Sequence, residues 1–187
     1  DIFVTLDEDV IVAFAENFNK TAGKLIYCNK QEDFYDKLFE YKKQQELDKV
    51  YCWGDELSLN IANAGIEIIK SKDNFISDCQ AGITLCESLI ARTGSILVSS
   101  AQGGGRELSI YPPIHIVVGY TSQIVAEVGD ALTKVKETYE KLPSMVSLTS
   151  GPSRTADIEK TLVMGAHGPK ELILFLIEWV MKIYLFD

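Results

Sequence analysis

The stretch KLIYCNKQEDFYDKLFEYKKQQELDKVYCW, Lys24 to Trp53, decides the architecture. It opens on a short β-branched and aromatic run, Lys24–Cys28, and closes on another, Lys49–Trp53. Between them Gln31 to Glu46 is charged, with Phe34, Leu38 and Tyr41 at helical spacing. The order strand, helix, strand argues a parallel sheet with helices covering it.

The alternation continues on both sides. Asp7 to Lys20 puts Val10, Ile11, Phe14 and Phe18 on one helical face. Asp55 to Ala64 predicts a short helix that Gly65 stops, and Ile66 to Ile69 a third strand. Asp78 to Thr84 turns strand-like towards its end, and Cys86 to Ala91 reads as one or two helical turns. Ser95–Ser100 and His115–Gly119 predict strands. Between them lie the AQGGGR loop, Ala101 to Arg106, and Pro112-Pro113, which excludes helix. Ser122 to Leu142 predicts the longest helix, with Ile124, Val128, Leu132, Val135, Tyr139 and Leu142 in register and Pro143 as its end. Met145–Thr149 predicts a strand, and Thr155–Glu159 a short helix. Thr161–Gly165 and Leu172–Ile177 predict strands joined by a His167-Gly168-Pro169 turn. The whole reads as one α/β domain over residues 1–187.

Composition bounds the function. Apolar residues make 47% and charged residues 24% of the 187, enough for a sizeable core. The net charge of −9 gives no electrostatic reason to sit on nucleic acid or anionic lipid. No apolar run reaches the ~18 residues that span a bilayer. A cytoplasmic protein without membrane or nucleic-acid partners is expected. Cys28, Cys52, Cys79 and Cys86 contain no Cys-x-x-Cys, which disfavours an iron–sulfur cluster or zinc ribbon. His115 and His167 stand alone, so no metal and no cofactor is expected.

Polar chemistry concentrates near the C-terminal end, in SGPSRTADIEKTLVMGAHGPKEL, Ser150 to Leu172. Gly151-Pro152 fixes a tight backbone path. Ser153, Arg154 and Thr155 then stand at or before the predicted short helix. A helix N-terminus with an arginine suits a phosphate or carboxylate. The same residues equally make a capped helix with Arg154 paired to Asp157 or Glu159. Asp157 and His167 are the groups able to move a proton. Thr93-Gly94-Ser95 offers hydroxyl and N–H groups at a turn, and Gly103-Gly104-Gly105-Arg106 is a flexible basic loop without the spacing of a nucleotide-binding motif.

Three segments in this order resemble one family. They are LIARTGS (Leu89–Ser95), YPPIHIVV (Tyr111–Val118) and GPSRTADIEKTLVMGAHGP (Gly151–Pro169). Together they resemble the LUD domain of lactate-utilization proteins of the LutC/YkgG type, over about Ala81 to Leu174. The resemblance implies a three-layer α/β/α fold with a mostly parallel sheet, similar to the NagB/RpiA/CoA-transferase group, whose members bind anionic ligands at the C-terminal edge of the sheet. It implies a part in oxidising L-lactate to pyruvate beside iron–sulfur lactate-utilization proteins. Where the family usually carries Glu before Thr-Gly, this chain has Arg92, a permanent cation. Glu87 lies close by but does not map onto the carboxylate nucleophile of the wider group.

The expected pocket for a small anionic metabolite therefore draws on Arg92, Thr93, Gly94 and Ser95, on Gly104 and Arg106, and on Gly151, Ser153, Arg154 and Thr155, with Asp157 or His167 for proton transfer. Two further readings stand beside it: a non-catalytic assembly or regulatory subunit for iron–sulfur partners, and a transferase or isomerase for CoA or sugar-phosphate substrates. A homo-oligomer is compatible with all three.

Overall fold

The computed structural model describes residues 3–4, 8–158, 161–164, 168–179 and 181–182. The elements run β1 (Phe3–Val4), α1 (Glu8–Lys20), β2 (Lys24–Cys28), α2 (Gln31–Gln44), β3 (Val50–Cys52), α3 (Asp55–Asn63) and α4 (Phe75–Asp78). Then follow β4 (Ala81–Leu85), β5 (Ser88–Ile90), β6 (Ser95–Ser99), β7 (Ile114–Tyr120), β8 (Ile124–Val125) and α5 (Val128–Thr138). Last come β9 (Val146–Thr149), β10 (Arg154–Ile158), β11 (Thr161–Met164), β12 (Glu171–Ile177) and β13 (Met181–Lys182). Among the described residues no helix is long and apolar enough to cross a membrane.

Five strands form the central sheet in the order β2-β12-β7-β4-β3, every pairing parallel. The alternation of β12 shows how it is covered. Ile173, Phe175 and Ile177 face one side, where Phe34 and Leu38 of α2 and Leu57 and Ile61 of α3 pack. Leu172, Leu174 and Leu176 face the other, against Phe14 and Phe18 of α1. Burial on both faces is why these strands read as continuous apolar runs.

The second face carries more than a helix. A four-stranded sheet, β8-β5-β6-β9, lies over it, with Leu89, Ile96, Val98 and Ile124 in the same core as α1. Its outer side, Ile90, Leu97 and Val125, is covered by Ala131 and Val135 of α5. The expected mostly parallel α/β architecture is present, with this smaller sheet inserted between the central sheet and α5.

Four local expectations are corrected. Ser88–Ile90 is strand β5, because its fully buried residues pair with β6 on one side and β8 on the other. The predicted helix from Ser122 shrinks to α5, because Ile124 and Val125 pair with Leu89 and Ile90. Asp130 then accepts the Glu127 N–H as the helix begins. Ile66–Ile69 contributes only an isolated bridge, Ile69 to Tyr51. The segment from Arg154 to Ile158 is strand β10, paired antiparallel with β11, so no helix N-terminus forms there.

Candidate functional site

The site grows from the C-terminal turn of α1. Gly94, at φ +58°, sits so close that a Cβ on it would lie 2.2 Å from the Phe18 nitrogen. Gly151, at φ +78°, would place one 2.0 Å from the Thr21 carbonyl oxygen. Only glycine allows both the backbone angle and the approach. Asn17 adds a side-chain bond to the Ala91 carbonyl (2.9 Å), and Arg154 Nη2 donates to the Thr21 carbonyl (3.3 Å). The ARTGS and GPSR segments thus meet on one helix end.

They are joined directly. Ser95 Oγ donates to Thr93 Oγ1 at 2.7 Å and contacts Ser150 Oγ at 2.6 Å. The Ser153 N–H donates to the Pro169 carbonyl at 2.8 Å, which brings the GPS and HGP segments together just ahead of β12. Here a cavity of about 260 Å³ opens. The hydroxyl residues Ser109, Ser147, Thr149, Ser150 and Ser153 line it, against Ile110, Leu148, Pro152, Pro169 and Leu172. It lies at the N-terminal ends of the central strands, not the C-terminal edge used by the wider fold group, because Pro169 and Lys170 lead into β12.

The remaining candidates divide. Arg92 Nε pairs with Glu127 at 2.6 Å, beside α5, and Arg106 donates to Ser144 Oγ at 2.9 Å. Neither lines the cavity. Gly104 packs on Trp53 and Leu108, and its neighbour Gly103 on Gly54, beyond the C-terminal end of β3. No residue of the Ala101–Arg106 loop lines the cavity; Ser109 and Ile110, which follow it, do. Thr155 and Asp157 stand on β10. His167 lies outside the described residues. His115 is buried in β7, bonded through Nε2 to Thr84 Oγ1 at 2.8 Å, and burial pushes its pKa down to about 3.

Sequence reasoning set Glu87 aside, yet it is the centre of a polar network at the C-terminal end of β4. Its Oε1 accepts hydrogen bonds from Ser99 Oγ, from Gln102 Nε2 (3.2 Å) and from Tyr139 Oη (3.0 Å). Burial, and after it the bond to Glu87, raise the pKa of the Tyr139 phenol. The one signal available was a carboxylate placed directly after a buried strand. The hydroxyls of Ser109 and Ser147 were also missed, since isolated serines carry no motif.

The sequence profile of the LUD domain matches residues 11–177. An uncharacterized protein of Neisseria meningitidis is 39% identical over 111 residues, 59% of this chain and 48% of that protein. A lactate utilization protein C of Macrococcus caseolyticus is 28% identical over 177 residues, covering 86% of this chain and 68% of its own length. The chain spans about half the length of the first curated relatives it matches, 48% and 41%. The crystal structure of a DUF162 family protein from Deinococcus radiodurans superposes with a TM-score of 0.68 at 17% identity, over 91% of this chain and 97% of that one.

Proposed function

This chain belongs to the LUD domain family, and on that premise we propose that it serves lactate utilization by binding a small hydroxy-carboxylate anion in the cavity over Ser147–Ser153. The cavity carries the reading. At about 260 Å³ it falls below the roughly 300–1,000 Å³ of pockets for drug-sized ligands, so its occupant has few heavy atoms. A lining that mixes hydroxyls with Ile110, Leu148 and Leu172 suits a molecule that has both polar atoms and a methyl group. Lactate has that shape. Several curated relatives are named lactate utilization protein C, which supports the choice.

Among the described residues no charged side chain lines the cavity itself, so the charge is assigned to the residue next to its lining. Arg154 follows Ser153 directly and holds the Thr21 carbonyl through one of its nitrogens, leaving other guanidinium donors for a carboxylate. The proposal assigns binding to this chain, and a partner protein of a lactate-oxidising system would use the bound ligand.

Isothermal titration of L-lactate into the chain tests this, with Ser153→Phe as the variant that fills the cavity. Binding by the wild type that Ser153→Phe abolishes supports the proposal. Equal binding by both moves the site elsewhere. No binding by either leaves the cavity reading without support and directs the search to a protein partner.

A further inference from the structure

Resting on that reading of the cavity, we propose that Ser150 recognises the ligand's hydroxyl as a hydrogen donor, so that the site selects the hydroxy form of a small carboxylate over the keto form.

A serine hydroxyl has one hydrogen and two lone pairs. Ser95 is fully buried, and its Oγ donates to Thr93 Oγ1 at 2.7 Å. That uses its hydrogen. The contact between Ser95 Oγ and Ser150 Oγ at 2.6 Å must then have Ser150 as donor. The chain of hydrogens runs Ser150 to Ser95 to Thr93. Ser150 lines the cavity, and it has committed its hydrogen to the protein. It turns only lone pairs to anything else.

Ser109, which also lines the cavity, repeats the pattern. It is buried, and its Oγ donates to the Gly105 carbonyl. Two of the lining hydroxyls are therefore acceptors towards a ligand. Among the described residues, the hydroxyls of Ser147, Thr149 and Ser153 donate to no protein acceptor, so their hydrogens are available to a carboxylate. A ligand atom at Ser150 must bring a hydrogen. The C2 hydroxyl of lactate brings one, whereas the C2 carbonyl of pyruvate brings lone pairs against lone pairs. Thr93 is a positioning residue here, since it sets the direction of the chain without lining the cavity.

The experiment is isothermal titration of L-lactate and of pyruvate into the full chain and into Ser150→Ala and Thr93→Val, each checked for a native melting transition. One neutral hydrogen bond is worth up to about tenfold in affinity, so wild type should bind lactate about tenfold tighter than pyruvate. Ser150→Ala, at an exposed residue, should bring the ratio close to one. Thr93→Val removes the acceptor for the Ser95 hydrogen. Ser95 then donates to Ser150, the Ser150 hydrogen turns into the cavity, and pyruvate gains on lactate. Equal affinities in the wild type would overturn hydroxyl selection while leaving the cavity reading in place. A ratio unchanged by Thr93→Val would overturn the polarity of the hydroxyl chain. Absence of binding by both ligands would overturn the cavity reading and this inference together.

Discussion

A Cβ on Gly151 would lie 2.0 Å from the carbonyl oxygen of Thr21, so the turn that opens the GPSR segment is moulded to the end of α1. Gly151→Ala must push backbone against backbone and also hold an alanine at φ +78°. We expect a loss of about 2–4 kcal/mol, since strain of both kinds applies at one residue. Gly129 is the control. It lies in α5 with nothing within 4 Å of an added methyl. Gly129→Ala should gain about 0.5 kcal/mol from helix propensity alone. Opposite shifts of the urea midpoint check the pair, and a neutral Gly151→Ala would mean that the turn and α1 separate readily.

Glu87 separates a charge from an acceptor. Glu87→Gln keeps a carbonyl oxygen for Ser99, Gln102 and Tyr139. Glu87→Ala leaves all three donors without it. Unsatisfied half-buried polar groups each cost about 1–3 kcal/mol when fully desolvated, and less here. The expected order is a loss below about 1 kcal/mol for Gln and about 2–3 kcal/mol for Ala. Chemical denaturation of both variants measures it, and equal losses would show that the charge itself, not the hydrogen bonds, holds the network.

Much of this layout was legible because buried parallel strands leave an unambiguous trace. Lys24–Cys28, Lys49–Trp53, His115–Gly119 and Leu172–Ile177 each combine an apolar run with turn residues at its ends, and all four appear in the central sheet. The smaller sheet was illegible for a physical reason. Ser88–Ile90 and Ile124–Val125 are too short to show a period, and they become strands only because each supplies the other's hydrogen bonds. Ile124 and Val128 also fall at helical spacing, so a local pattern favoured a helix that pairing forbids. In the candidate site, the glycine and serine motifs lie in segments that the fold brings together, Ser95 against Ser150 and both Gly94 and Gly151 against the end of α1. They did not reveal that two of the expected arginines, Arg92 and Arg106, turn to other partners.

Arg92 makes that last point testable. Its guanidinium pairs with Glu127 at 2.6 Å with both side chains largely exposed, an arrangement worth at most about 1 kcal/mol. Arg92→Ala should therefore lower stability by less than about 1 kcal/mol and leave lactate affinity unchanged. Arg154→Ala should weaken lactate several-fold. Titration of the two variants side by side decides between them, and a loss of binding with Arg92→Ala would bring that arginine back to the ligand.

His115 gives the fold a defined response to acid. Buried in β7 against Thr84, it stays neutral in the folded chain down to about pH 3. In the unfolded chain it takes up a proton near its ordinary pKa of about 6.5. Between those values the unfolded state binds more protons, so stability rises with pH and falls as pH is lowered. The slope from this one residue is at most about 1.4 kcal/mol per pH unit, and above about pH 7 it vanishes. Urea unfolding at pH 7.5, 6.0 and 5.0 should show wild type losing stability faster than His115→Gln below pH 6.5. Carboxylates that titrate in the same range act alike in both proteins, so the difference in slope isolates His115. Parallel slopes would mean that His115 accepts its proton within the folded chain, and that β7 opens to water well before the molecule unfolds.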